Sequence, residues 1–405
     1  MKNVFVLGAG ASKAYDKSPT GQRMPVAKDF FPIYAKLPIN LHPWALKTKL
    51  LLYLHKRDGT QHLDLFNFNE DIEDLHTEVQ ESLYKIIEQD GYARSRLEEA
   101  ALNAYCEVIF LFIAGINQIQ NGPVSKTHIE LAKLMREDDA VITYNWDTLM
   151  DRALNEVTGW SCDSGYMVKP QGIYRNGWRT PGATDSHDYP RLLKLYGSSN
   201  WLTSYQTFEK GKMVPMQATP IDHFFVYEHT RDPYSAFAGR YMAGYEPFSY
   251  GYYPPNLITA GREAPKGYVI SKVRPKHPFM PESNLDDSGL VSMPLIIPPV
   301  RHKEYNYYGN LFQTLWDEAR QRLEAADRIF VIGYSFPKTD IRSNELFLKA
   351  FTARTTMPEV IIINPEPDSI ADRFRYDFGI TDDKLTVIKD YFGPDIVERE
   401  IKSRI

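Results

Sequence analysis

Residues 3–12 read Asn-Val-Phe-Val-Leu-Gly-Ala-Gly-Ala-Ser, an apolar run that passes directly into Gly8, Gly10 and Ser12. An apolar strand ending in Gly-x-Gly is how α/β proteins bring backbone N–H groups up to a phosphate. Lacking a Cβ, Gly8 and Gly10 let the chain turn tightly and approach a ligand closely. The full dinucleotide fingerprint wants a third glycine where this chain has Lys13. A tight strand-to-helix turn that binds nothing would read the same way.

Four further segments repeat the pattern. Residues 140–147 run Ala-Val-Ile-Thr-Tyr-Asn-Trp-Asp, and 192–201 run Leu-Leu-Lys-Leu-Tyr-Gly-Ser-Ser-Asn-Trp as one expected strand ending in a Gly-Ser turn. Residues 329–337 and 360–366 are apolar runs ending in Gly-Tyr-Ser-Phe-Pro and Asn-Pro-Glu. In an open parallel sheet the carboxyl ends of the strands share one edge, and ligands bind along it. The expectation is an α/β chain: a Rossmann-like parallel sheet with helices on both faces.

At these residues the chain resembles the sirtuin superfamily, and more closely its bacterial SIR2-like branch. Gly8-Ala9-Gly10-Ala11-Ser12 matches the first phosphate loop, and Thr143-x-Asn145-x-Asp147 the Thr-x-Asn-x-Asp motif. Lys194-Leu195-Tyr196-Gly197-Ser198 matches Lys-Leu-His-Gly-Ser with one departure, Gly333-Tyr334-Ser335 stands for Gly-Thr-Ser, and Ile363-Asn364 for Ile-Asn. Order and spacing hold from residue 3 to about residue 366. The resemblance implies NAD+ as substrate or ligand, held by Gly8, Ala9, Gly10, Ser12, Asn145, Asp147, Gly197, Gly333, Ser335 and Asn364. Catalytic roles fall on Asn145, Asp147 and Tyr196.

Composition bounds the function classes. The chain has 405 residues, 43% of them apolar and 24% charged, with a net charge of −5 and acids and bases intermixed. No electrostatic footprint for nucleic acid is visible. The two cysteines, Cys106 and Cys162, cannot build the four-thiolate zinc site of sirtuin deacetylases; no metal is expected. The most apolar run, Val108 to Ile116, is far short of the ~20 residues that cross a bilayer, and the start lacks a leader pattern. A cytoplasmic protein is expected.

Along the chain, a Rossmann-like core is expected over 1–40, 137–204 and 291–405 of a single domain. A helical insertion occupies 41–136, with helical patterning at 69–90 and 95–120; the second stretch carries Leu97, Ala101, Ala104, Val108, Leu111 and Phe112 on one face. Thirteen of the 27 prolines lie between Pro215 and Pro299, and eight tyrosines between Tyr205 and Tyr253. That aromatic content argues for a packed, irregular insertion over 205–290, a lid or partner surface, or a decorated loop region. Leu311, Phe312, Leu315, Trp316, Ala319 and Leu323 mark an amphipathic helix within 306–325.

Cleaving the nicotinamide–ribose bond passes through an oxocarbenium-like state. An amide such as Asn145 can orient a water or hydroxyl there, and a carboxylate such as Asp147 can engage the carboxamide or the forming cation. Asp147 also fits an Asx cap on the following helix, Ser12 an N-cap, Asp340 a helix cap, and Ser335 and Asn364 turn residues. Tyr196 stands where the family places a general-base histidine. A phenol of pKa ~10 is a poor base near neutral pH, so protein deacetylation is not expected and Tyr196 is left to shape the pocket. His128 is expected to be structural. Two functions remain: an NAD+ glycohydrolase of antiphage defence, acting as a homo-oligomer or with a sensor or ATPase partner, and a degenerate NAD+/ADP-ribose-binding scaffold.

Overall fold

The computed structural model describes residues 1–37, 53–54, 57, 59, 70–90, 108–109, 112–113, 115–174, 178–182, 189–204, 206–209, 212–215, 224–228, 268–270, 292–301, 303, 305, 309–337 and 340–405. Six strands make the central sheet: β1 (Asn3–Leu7), β2 (Ala140–Thr143), β3 (Arg191–Lys194), β4 (Arg328–Ile332), β5 (Glu359–Ile363) and β6 (Leu385–Ile388). Their order is β6-β5-β4-β1-β2-β3, and every neighbouring pair is parallel. Val6 stands at the centre, opposite Val331 on one side and Ile142 on the other.

The apolar runs dictate this arrangement. β1, β2, β3 and β4 are buried along their whole length, so both sheet faces are covered, as continuous rather than alternating hydrophobicity requires. β6, at the edge, is only half covered. From β1 the chain steps outward through β2 to β3, and from β4 in the opposite sense through β5 to β6. Right-handed crossovers put the helices of the two halves on opposite faces. The reversal falls between β1 and β4, and open α/β sheets place their ligands at such a point, beyond the carboxyl ends of the strands.

The helices used below are α1 (Ile72–Asp90), α2 (Lys126–Ala132), α3 (Leu149–Thr158), α4 (Leu311–Ala325), α5 (Ile341–Thr352) and α6 (Asp368–Tyr376). Ser125 caps α2 through its side chain, and α3 ends at Gly159 in the left-handed conformation. α4 buries the face read from its sequence, Leu311, Phe312, Leu315, Trp316, Ala319 and Leu323. A stack of Phe5 on Phe330, centroids 5.0 Å apart, joins the two halves of the sheet.

The strand expected over 192–201 is in fact two. The chain leaves the central sheet after Lys194, turns at Tyr196-Gly197, and enters a second sheet as Gly197–Ser204. Gly197 has φ +76°, and a Cβ there would lie 2.1 Å from the Leu295 carbonyl oxygen, so only glycine makes this corner. The second sheet has five strands, ordered Ser292–Ile296, Gly197–Ser204, Phe225–Tyr227, Gly172–Tyr174, Trp178–Arg179. Within 205–290 the other described elements are Gln206–Glu209, Lys212–Pro215 and Tyr268–Ile270, which form a three-stranded sheet. Leu97, Ala101, Ala104 and Leu111 lie outside the described residues; Val108 and Phe112 are helical and buried.

Candidate functional site

The loops after β1 and β4 meet backbone to backbone. Gly8 N–H donates to the Ile332 carbonyl (3.0 Å) and Gly10 N–H to the Gly333 carbonyl (2.9 Å). A Cβ on Gly8 would lie 2.5 Å from Tyr334 Cα, one on Gly10 2.8 Å from Gly333 Cα, and one on Gly333 2.4 Å from Ala11 N. The glycines are thus required by the packing of the two loops, and two of the N–H groups read as phosphate donors are engaged by protein. Ala9 and Ser335 are exposed beside this contact.

The loop after β2 is tied to the same place by side chains. Asn145 Nδ2 donates to the Gly8 carbonyl and to Ser12 Oγ, both at 2.8 Å. Ser12 Oγ donates in turn to Asp147 Oδ2 at 2.6 Å. The other carboxylate oxygen of Asp147 accepts from Leu149 N–H (3.1 Å) at the start of α3, so Asp147 serves as the Asx-type cap and as part of the network at once. Asn145 is partly exposed, and among the described residues nothing donates to its Oδ1. Three residues singled out in the sequence, Ser12, Asn145 and Asp147, therefore form one connected group at the carboxyl edge.

Beneath it lies a buried support. Lys194, 1% exposed, donates to the Asp147 carbonyl (2.5 Å) and pairs with Asp151 (3.2 Å); Tyr166 donates its hydroxyl to the same Asp151. His128 is buried, with Nδ1 2.7 Å from Ser125 Oγ. Burial pushes its pKa down to about 4, opposed by the charge of Asp147, so the ring is neutral at neutral pH.

Tyr196 faces a different partner from any read in the sequence. Its hydroxyl donates to Asp340 Oδ1 at 2.6 Å, and that of Tyr334 to Asp340 Oδ2 at 2.8 Å. Lys303 Nζ lies 2.8 Å from the same carboxylate and 5.5 Å from the centre of the Tyr196 ring. Tyr144 stacks on Tyr334 with centroids 4.2 Å apart, meets Tyr196 edge-on at 5.3 Å, and shares a 2.6 Å hydrogen bond with Ser343. Burial, then the Asp340 charge, drives the Tyr196 phenol well above its ordinary pKa. Asp340 stands at the N-cap position of α5, yet its side chain makes no capping bond; the cap reading is corrected to that of a shared acceptor for two phenols and a lysine.

Asn364 Oδ1 accepts from Glu366 N–H (3.0 Å), an Asx turn after β5. Phe336, next to Ser335, has φ +50° and is held by ring contacts with Tyr334 (4.6 Å) and Phe347 (5.0 Å). A bulky residue in the left-handed region is strained, and this one fixes the loop carrying Ser335. His187, His223 and His229 lie outside the described residues. Among the described residues no cluster of His, Cys, Asp or Glu could hold a metal ion, and no helix is long and apolar enough to cross a membrane.

No protein-family model matches the chain, and no curated protein matches it. Similar solved structures are sirtuins. One, from work on the structural basis of sirtuin substrate affinity, is 14% identical, spans 100% of this chain and 93% of its own, and has a TM-score of 0.36. A Sir2 complex with p53 peptide and NAD+ is 15% identical with the same coverage and a TM-score of 0.35. A third, from work on the mechanism and regulation of Sir2 enzymes, is 17% identical over 81% of this chain and 98% of its own, at 0.34. At these TM-scores none of the three adds to what strand order and register establish, and the Rossmann-like fold rests on those.

Proposed function

We propose that the chain binds NAD+ across the crevice between the β1 and β4 loops and hydrolyses it to nicotinamide and ADP-ribose. The observation carrying this reading is the Ser12–Asn145–Asp147 network. It holds an amide in place by two hydrogen bonds and leaves Asn145 Oδ1 free, among the described residues, to orient a water or a ribose hydroxyl. In the reaction the C1′–N bond breaks, its electron pair leaves with nicotinamide, and water oxygen bonds to C1′ and releases its proton. Asp147, with both oxygens already accepting, favours the positive charge that develops on the ribose without itself becoming bonded to it. The adenosine half falls to Ser335 and Asn364; Gly197 and Gly333 are further nucleotide positions, and Ala9 lies at the exposed start of the first loop.

The Tyr196 phenol, donating to Asp340 with its pKa raised, is unsuited to take a proton near pH 7. That supports hydrolysis by water over protein deacetylation, as does a sequence with two cysteines. The place in antiphage defence, with control by a homo-oligomer or a sensor or ATPase partner, is part of the proposal and follows from the sequence resemblance. A second reading, an NAD+ or ADP-ribose holder without turnover, is favoured by the engaged Gly8 and Gly10 N–H groups and the buried Tyr196. Purified protein incubated with NAD+ decides between them. Release of nicotinamide that is lost in Asn145→Ala supports the hydrolase; a raised melting temperature without release supports the holder; neither effect at millimolar NAD+ removes both.

A further inference from the structure

A cleft of about 690 Å³ opens between α4 and α5, beside the segment that carries Arg301, Lys303 and Tyr305. Its volume lies in the range of small-molecule sites, ~300–1,000 Å³. Five cations line it, and four of them are neutralised. Arg301 pairs with Asp74, Lys303 with Asp340 at 2.8 Å, Arg320 with Glu324 at 2.5 Å, and Lys349 with Glu345 at 3.3 Å. The fifth, Arg342, has no carboxylate within ion-pair distance among the described residues; Asp317 and Glu345, which also line the cleft, act on it from farther away. Its one hydrogen bond runs from Nη2 to Gln313 Oε1 at 2.8 Å.

Arg342 is nonetheless fixed in place. Its guanidinium carbon lies 4.2 Å from the ring centre of Tyr305 and 4.8 Å from that of Trp316. Stacking on aromatic rings immobilises the plane of the guanidinium and leaves N–H donors on its edge, the geometry that fits a phosphate in bidentate fashion. The residue also sits in the first turn of α5, where no acidic residue stands and where the helix dipole disfavours a cation. Burial lowers its pKa from the ordinary arginine value. The cost of a half-buried, rigid cation with no contacting carboxylate, near the positive end of a twelve-residue helix, is only partly offset by the more distant charges of Asp317 and Glu345. An oxyanion in the cleft removes the cost, because it is drawn by the guanidinium and by the helix terminus together.

We propose that this cleft binds a phosphate-bearing small molecule, with its phosphate on Arg342 and its body between α4 and α5. None of the residues lining the cleft is among those assigned to NAD+ above, and the proposal does not depend on NAD+ chemistry. Lys303 connects the cleft to Tyr196, lining the one and pairing with the Asp340 that accepts from the other.

The test uses the full chain and inorganic pyrophosphate as probe, followed by calorimetry and by tryptophan emission. Wild type should bind, with an emission change that disappears in Trp316→Phe. Arg342→Gln should weaken binding at least tenfold, and Arg342→Lys, which keeps the charge but not the fork, by less. The Trp316→Phe arm reports even where Arg342→Gln does not fold, which its melting curve shows. Three results overturn the proposal: no binding by wild type at millimolar pyrophosphate, an emission change that persists in Trp316→Phe, or binding retained by folded Arg342→Gln. Binding abolished by Asn145→Ala while Arg342→Gln retains it assigns the anion to the crevice instead.

Discussion

Tyr196→Phe removes one oxygen from the molecule and leaves every ring contact in place. The lost group is a buried hydroxyl donating at 2.6 Å to Asp340. A hydrogen bond to a charged group is worth ~1.5–3 kcal/mol. Asp340 keeps Tyr334 at 2.8 Å and Lys303 at 2.8 Å, so its charge is not abandoned and the loss falls toward the lower end, about 1.5–2 kcal/mol. Equilibrium urea unfolding at pH 7 reads this as a lower midpoint with an unchanged slope. Alkaline pH adds a second check. The folded-state pKa of Tyr196 lies above its ordinary value, through burial first and Asp340 next. Its contribution is therefore complete below the unfolded value of ~10 and is lost as pH rises beyond it, where the unfolded chain binds fewer protons. The gap between wild type and Tyr196→Phe should be constant from pH 7 to about 9 and narrow above pH ~10. On the hydrolase reading, nicotinamide release by the variant stays within about threefold of wild type. A stability change below about 0.5 kcal/mol would refute the hydrogen bond as a structural element, and a collapse of nicotinamide release in a folded variant would make the phenol a participant in the chemistry.

Gly10→Ala places a Cβ 2.8 Å from Gly333 Cα and 2.9 Å from its oxygen, so the loops must separate; a loss of about 1–3 kcal/mol is expected in urea unfolding, with nucleotide-induced stabilisation reduced. Ser12→Ala breaks the link between Asn145 and Asp147 and leaves Asp147 Oδ2 without its donor; it should cost ~1–3 kcal/mol and lower nicotinamide release more than it weakens NAD+ affinity, as titration and initial rates would separate. His128, with its pKa pushed down to about 4 by burial, binds a proton more readily unfolded than folded. Stability should then fall by about 3 kcal/mol as pH drops from 6.5 to 4, a slope that His128→Gln flattens in unfolding curves at pH 7 and 4.5.

The sheet was legible because its strands are apolar on both faces and each ends in small or polar residues: β1, β2, β4 and β5 lie within a residue or two of the segments read from the sequence. The 192–201 run was read as one strand because hydrophobicity continues through the turn; what divides it is the φ of Gly197 and the nearness of Leu295, a contact almost a hundred residues away. Asp340 was read as a cap because it stands where caps stand. Its partners Tyr196 and Lys303 reach it through the fold, and no periodicity connects them. Gly8 and Gly10 were read through a ligand, whereas the nearest physical reason for them is the backbone of Gly333 and Tyr334. Arg342 carried no sequence signal at all, since a lone arginine in a helix is ordinary until its neighbours are seen to be paired and it is not.

The residues after three strands of the central sheet show what the tyrosine at 196 does in this setting. Tyr144 follows β2, Tyr196 follows β3 and Tyr334 follows β4, and all three converge on the beginning of α5, two on Asp340 and one on Ser343. A histidine at 196 would be shorter than the phenol and would leave Asp340 with one donor fewer. Tyr196 is thus part of a consistent set rather than an isolated change: two phenols and Lys303 satisfy one buried carboxylate, and a third phenol bonds Ser343 beside it. The Tyr196 phenol, its pKa raised by burial and then by the Asp340 charge, gives its proton up poorly and does not act as a base near pH 7. The proposed hydrolysis would then rely on groups that orient rather than on Tyr196 as a titrating group. On the proposed reading the orienting group is Asn145, anchored by Gly8 and Ser12, and hydrolysis through a cationic sugar asks least of a base and most of an oriented water.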